Sequence, residues 1–182
     1  GEAHQLRLSL EKVSGKDLNW FFNQWYFGSG NPVIDVVKKY NAATKKLTVK
    51  IVQTQDEKIL FQFPLEIDVY ENGKRVRHKV WVDARKENSF TFPVATTPEL
   101  VDINPRGVII ATENNNKSWK EYLYQLQHAT DYKSRIEAVE ATTAAEGKEI
   151  LLTALKDPFF KVREKALQKL ISYKLTTKEL QI

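Results

Sequence analysis

The sequence predicts a multi-part α+β fold: short N-terminal helices, a seven-stranded antiparallel β-sandwich, and C-terminal HEAT/ARM-like helical repeats. Three observations predict it. Residues 1 to about 27 carry apolar side chains at helical spacing. Residues 33 to 111 alternate apolar and polar, with turn signals between the runs. From Ser118 onward helical spacing returns. The corresponding parts are 1–30, 31–115 and 116–182.

Composition sets the outer bounds. The 182 residues are 42% hydrophobic and 28% charged, which favours a folded chain over a disordered one. There are no cysteines, so disulfides, cysteine zinc sites and a thiol nucleophile are excluded. No apolar run approaches the ~20 residues a membrane-spanning helix needs. No basic segment followed by an apolar one marks a signal peptide. Gly1 stands where an initiator Met is absent, so the chain is expected to be a processed or excised part of a longer protein. Redox compartment and localisation stay open. The net charge of +5 comes from 28 basic and 23 acidic residues that are intermixed. This predicts a solvated mixed-charge surface and no nucleic-acid partner.

The stretch Ser14 to Pro32 packs six aromatic residues before Gly28, Gly30 and Pro32 end it. A first helix is expected over roughly Ala3 to Val13. Ser14 and Asp17 then read as an S-x-x-D capping box opening a second helix. Leu18, Phe21, Phe22 and Trp25 fall at i, i+3, i+4 and i+7, one face of that helix. Two short helices cannot bury such a face between themselves, so a further surface must cover it. It is read as packing surface in preference to an aromatic ligand box.

Strands are expected at 33–40, 46–53, 60–70, 75–83, 89–95, 99–103 and 107–112. Turn signals lie at Asn41, Gln55-Asp56, Asn72-Gly73, Asn88, Thr97-Pro98 and Asn104-Pro105. Asn72-Gly73 suits a type I′ hairpin turn. It sets Glu71 against Lys74, Asp68 against Arg77 and Glu66 against Lys79. The same register sets Val69 against Val76 and Leu65 against Val80. One face is then opposite-charge pairs and the other apolar, as in a half-buried antiparallel sheet. Short strands of this kind fit an immunoglobulin- or fibronectin-like sandwich.

His78 falls on the apolar face opposite Ile67 and is expected to be a partly buried histidine with a satisfied ring nitrogen. His4 and His128 lie in separate helical parts, so the three histidines make no zinc motif. In the last part, Arg135, Ala138 and Val139 recur as Arg163, Ala166 and Leu167, 28 residues later. Residues 147–157 supply a further amphipathic helix. The period suggests HEAT-type helix pairs that each leave an apolar flank for a neighbour.

The opening stretch resembles the end of the catalytic domain in the aminopeptidase N family, the gluzincin zinc metallopeptidases. The residues that carry the resemblance are Ser14, Gly15, Leu18, Phe21, Phe22, Trp25, Gly30 and Pro32. The sandwich and the helical tail follow in the order many family members show, so the resemblance covers nearly the whole chain. It implies that 1–30 is the helical tail of a missing catalytic domain and that 116–182 begins an α-solenoid. It also implies that Leu18, Phe21, Phe22 and Trp25 pack between domains. The isolated chain is expected to cover them by self-association or by docking them on the sandwich.

Family members remove N-terminal residues from peptides with a zinc held by H-E-x-x-H and a distant Glu. A Gly-x-Met-Glu-Asn loop binds the substrate amine, and a Tyr stabilises the oxyanion. This chain has neither H-E-x-x-H nor any Met, so no catalytic, metal or cofactor residue is assigned to it. Zinc and the peptide substrate are expected only of the parent, and the fragment alone is not expected to hydrolyse peptides. The expected role is a scaffold between catalytic domain and solenoid. The alternative is a fragment of a non-peptidase relative acting as a protein-interaction scaffold, since a transcription-initiation-factor subunit shares the architecture. A third reading, an independent adhesion-type sandwich, leaves the Trp/Phe helix unexplained.

Overall fold

Alternation of apolar and polar residues builds the centre of the molecule. The structure, a computed structural model, describes residues 2–55, 59–143 and 147–173. Its strands are β1 Val33–Asn41, β2 Lys46–Gln53, β3 Phe63–Glu71, β4 Lys74–Val82, β5 Glu87–Pro93, β6 Leu100–Ile103 and β7 Thr112–Asn115. They form two sheets, ordered β5-β2-β1-β7 and β4-β3-β6. Ile34, Val36, Val49 and Ile51 of the first sheet share one buried core with Phe63, Leu65, Ile67 and Ile103 of the second. Burying each such side chain is worth about 1.5–3 kcal/mol. A slip of one residue would turn that whole set outward, so burial fixes the register.

The β3–β4 hairpin has the register read from its turn: Asp68 faces Arg77, Ile67 faces His78 and Glu71 faces Lys74. Asn72 and Gly73 both have positive φ, 52° and 71°, as a type I′ turn requires. The face assignment needs two corrections. Glu71 and Lys74 share the parity of the apolar residues and lie at the turn end of that face. On the opposite face Asp68 and Tyr70 are buried too, while Lys79 and Trp81 stay exposed.

The antiparallel expectation holds for every strand pair but one. β7 pairs with β1 in parallel. The strand expected at 107–112 starts only at Thr112. Its Val-Ile-Ile run alternates, with Val108 and Ile110 exposed and Ile109 packed against the core, yet it joins no sheet. Asn104 (φ 49°) holds the run instead: its Nδ2 donates to Ile109 O at 2.9 Å, and its Oδ1 accepts from Ile109 N at 3.3 Å. The turn expected at Gln55-Asp56 ends on a residue outside the described ones.

The helices are α1 Glu2–Ser14, α2 Asn19–Phe21, α3 Trp119–His128, α4 Tyr132–Glu140, α5 Lys148–Ala154 and α6 Phe160–Leu170. The capping box expected at Ser14 and Asp17 does not form. Ser14 ends α1, and its hydroxyl donates to Leu10 O at 2.7 Å. Gly15 (φ 65°) follows as the left-handed terminator, its N–H bonding Glu11 O. Asp17 acts alone, accepting from Asn19 N at 2.8 Å. A capping box does form at Ser118 and Glu121, at the start of α3.

α3 to α6 share a second core of Leu126, Ala138, Val139, Ile150, Leu151, Val162, Ala166 and Leu170. The helical part expected over 116–182 is described as far as residue 173. His78 stacks on Phe92 with ring centroids 4.1 Å apart. No hydrogen-bond partner for its ring nitrogens is present among the described residues.

Candidate functional site

The buried charged face of β3–β4–β6 meets α3 and α4 in a polar junction. The segment between β7 and α3 delivers Lys117 to its centre. Lys117 Nζ donates to Asp102 Oδ1 at 3.0 Å, Gln125 Oε1 at 2.7 Å and Glu137 Oε1 at 3.0 Å. An ammonium has three protons to donate, and all three find acceptors here. The Lys117 and Asp102 side chains are both 0% exposed. Gln125 Nε2 donates onward to Ser134 O at 2.6 Å and Glu137 Oε2 at 3.1 Å. The Ser134 hydroxyl closes the ring onto Asp102 Oδ2.

Two further bridges flank this centre. Arg77 grips Asp68 with both prongs, at 2.7 and 2.8 Å, and reaches Asp131 Oδ2 at 2.6 Å. Asp131 precedes α4 yet makes no side-chain cap bond, because its carboxylate is turned to Arg77. Lys133 pairs with Glu113 at 3.0 Å, and Asn104 Nδ2 adds a bond to the same carboxylate at 2.8 Å.

The electrostatics follow from burial set against partners. Burial pushes the Lys117 ammonium down, but Asp102 and Glu137 outweigh it and hold it above the usual lysine value. Burial pushes the Glu137 carboxyl up, and Lys117 and Lys133 more than offset that, leaving it below the usual glutamate value. For Glu113 burial wins over Lys133, and its carboxyl sits high. With all three of its protons donated across the junction, Lys117 ties the sheet layer to the helical layer.

The residues expected to pack between domains lie at the other end of the sheets. α2 runs into a π-helical turn, Phe22–Tyr26, closed by Phe27 N on Phe22 O at 2.9 Å. The wider turn changes the angular spacing of the four side chains, so they do not share one face. Phe22 is buried, Leu18 and Trp25 are half-buried, and Phe21 is 42% exposed. Trp25 packs on Phe61 with ring centroids 5.5 Å apart. Phe21 and Trp25 line an open groove of about 500 Å³ together with Trp20, Pro64, Val108 and Ile110.

Sequence reasoning missed two docking residues, Trp20 and Gln24. Trp20 meets Trp81 edge-on at 5.1 Å. Gln24 bonds the backbone of Gln62 twice, Nε2 to O and Oε1 from N, each at 2.8 Å. Their i, i+4 spacing beside the aromatic run was the available signal. Among the described residues no group of His, Cys, Asp or Glu is placed to hold a metal. His4 sits on α1, His78 on β4 and His128 at the end of α3.

No family model matches the sequence. Transcription initiation factor TFIID subunit 2 of Saccharomyces cerevisiae is 37% identical over 49 residues, which are 27% of this chain and 4% of that protein. The crystal structure of Legionella pneumophila aminopeptidase A in complex with aspartic acid is similar with a TM-score of 0.71 at 19% identity. That likeness covers 96% of this chain and 23% of the aminopeptidase chain, so this chain spans under a quarter of its length. At this identity the two share a fold, and along nearly its whole length the chain has the fold of one segment of an aminopeptidase.

Proposed function

We propose that this chain is the non-catalytic C-terminal part of a zinc metalloaminopeptidase, bracing a catalytic domain against a HEAT-like solenoid. The observation that carries this reading is the fold likeness to an aminopeptidase over 96% of the chain. It supports the order implied by the opening motif: catalytic-domain tail, immunoglobulin-like sandwich, helical repeats, with parts at 1–30, 31–115 and 116–182. Leu18, Phe21 and Trp25 belong to the surface that packs on the catalytic domain, and the buried Phe22 supports Phe21 from beneath. The open groove beside Phe21 and Trp25 supports that role. Zinc and peptide substrate belong to the parent.

One observation favours a second reading, a fragment of a non-peptidase relative that scaffolds protein assembly. The sequence match to the transcription factor subunit is closer in identity, though it is short. The longer gene product separates the two. The peptidase reading expects an H-E-x-x-H followed by a Glu about 20 residues on. It also expects chelator-sensitive release of the first residue from aminoacyl-coumarin substrates by the purified full-length protein. A folded full-length protein that lacks the motif and releases no coumarin overturns it and leaves the scaffold reading.

A further inference from the structure

Strand β4 is an open edge. It stands at the end of the sheet ordered β4-β3-β6 and pairs on one side only, with β3. The other edges offer less. β6 and β7 are four residues each, every residue of β6 is buried, and β5 ends on Pro93. β4 runs nine residues without a proline.

The hairpin turn settles which backbone groups of β4 are engaged. In a two-residue turn the flanking pair, Glu71 and Lys74, exchanges both ladder bonds, and so does every second pair after it. Lys74, Val76, His78, Val80 and Val82 therefore turn their N–H and C=O to β3. Arg75, Arg77, Lys79 and Trp81 turn theirs outward, where no strand lies. Pro64, opposite Trp81, falls where β4 asks for no N–H. A row of outward N–H and C=O groups is a template for another strand.

The side chains set what that strand can be. β4 has no acidic residue. Arg77 is held by Asp68 and Asp131, but Lys74 and Lys79 are exposed and form no salt bridge among the described residues. Glu66 faces Lys79 across the ladder, yet its carboxylate is taken by Arg106 at 2.6 and 2.7 Å. The inner parity is apolar. Val76 is exposed, and Val80 lies partly buried against the sandwich core. The stack of His78 on Phe92 sets β4 opposite β5, whose Phe90 is also partly buried at that core. The edge is thus basic on its outer side and apolar on its inner side.

We propose that β4 takes up an extended acidic segment of a partner protein as a further antiparallel strand. Both existing pairings in this sheet are antiparallel. The incoming segment alternates acidic and apolar residues. Its acidic side chains fall beside Arg75, Arg77 and Lys79, and its apolar ones cover Val76 and Val80. Main-chain bonds hold the strand, and the alternating side chains choose it. A second copy of β4 would set Lys and Arg against Lys and Arg, which repel. A nucleic acid could meet the lysines but has no N–H and C=O groups at strand spacing. The inference rests on neither reading of the function.

The test titrates the isotope-labelled full chain with an end-capped peptide of alternating Glu and Val, as long as β4, to millimolar concentration. Saturable amide shifts are expected at Arg75, Arg77 and Lys79, with β1 and β2 amides unmoved. In an antiparallel pair the Glu nitrogens face β4 and the Val nitrogens face solvent. Methyl groups on the Glu nitrogens should weaken binding at least about tenfold, because several backbone bonds are lost together. Methyl groups on the Val nitrogens should change it little. Lys79→Pro removes an outward N–H without touching the bonds to β3, and it should weaken binding at unchanged far-UV dichroism. Absence of saturable shifts overturns the proposal. So does an equal effect of the two methyl sets, or equal binding of a peptide with its Glu and Val in separate blocks, since charge alone then suffices. A single-stranded oligonucleotide that shifts the same amides where the peptide does not overturns it too. Dimerisation of the chain alone in light scattering, with the Arg77 and Lys79 amides protected, also overturns it, because a second copy then takes the edge.

Discussion

Lys117 shows how a single side chain can decide an interface. An unpaired buried ammonium costs several kcal/mol, and three short bonds to Asp102, Gln125 and Glu137 make its burial tolerable. The pH dependence follows from the same contacts. Glu137 has a folded pKa below its ordinary value of 4.5. Its contribution is present above about pH 4.5 and is lost as pH falls through the folded value. Lys117 has a folded pKa above its ordinary 10.5. Its contribution is present below about pH 10.5 and is lost as pH rises through the raised value. Tyr70, pushed up to about 12 by burial, adds to the alkaline loss, because the unfolded phenol ionises first, near 10. Glu113 opposes the acid loss, since its raised carboxyl favours folding as pH falls. His78, held below its ordinary 6.5 by burial, adds to the acid loss, so Tm should be broadly flat from about pH 6.5 to 10 and fall on either side. Scanning calorimetry across pH should show Glu137→Gln flattening the acid limb and Lys117→Met the alkaline one.

Among the elements, the aromatic N-terminal segment is the one whose conformation its own residues set least. Its apolar spacing reads as a regular helix, and the π-helical turn at Phe22–Tyr26 breaks that reading. What holds the segment is contact with the sheets. Gln24 completes two backbone bonds at Gln62, Trp25 sits on Phe61 and Trp20 on Trp81. Gln24→Ala leaves the Gln62 N–H and C=O without these partners, at about 0.5–1.5 kcal/mol for each bond. The expected outcome is local opening: faster amide exchange at Gln62 and a shifted tryptophan emission, with the exchange of β1 and β2 amides unchanged. Unaltered exchange at Gln62 would show that the aromatic contacts hold the segment without the amide. The β3–β4 hairpin is the opposite case, since Asn72-Gly73 sets its register from four adjacent residues.

At the scale of the whole molecule, two separate apolar cores are joined by a junction of charges. The sheets alone and the helices alone would each bare half of that junction to water. Joining them in one orientation satisfies Asp68, Asp102, Lys117 and Glu137 together. Lys117→Met leaves Asp102 and Glu137 short of their counter-charge, and breaking such a buried pair costs about 3–5 kcal/mol. Urea unfolding followed by far-UV dichroism and by tryptophan emission should give coincident transitions in the native chain. In the variant the helical signal should be lost first. Coincident curves in Lys117→Met at an unchanged midpoint would refute a joining role for the lysine.

Features that depend on neighbours along the chain were legible in the residues alone. They include the strand alternation, the hairpin register at Asn72-Gly73, and the period that links Arg135 to Arg163. Period-two and helical spacing follow from backbone geometry, and burial within one element enforces them. The tertiary structure alone decided which charged face is covered, where β7 pairs, and how 107–111 runs. Asp68, Asp102 and Glu137 each look solvated in the sequence, because a lone charge does not reveal its counter-charge. Lys117 meets Asp102 from 15 residues away and Glu137 from 20. Only packing one element on another brings such groups within hydrogen-bond reach, and there the low polarity of the interior makes each contact decisive.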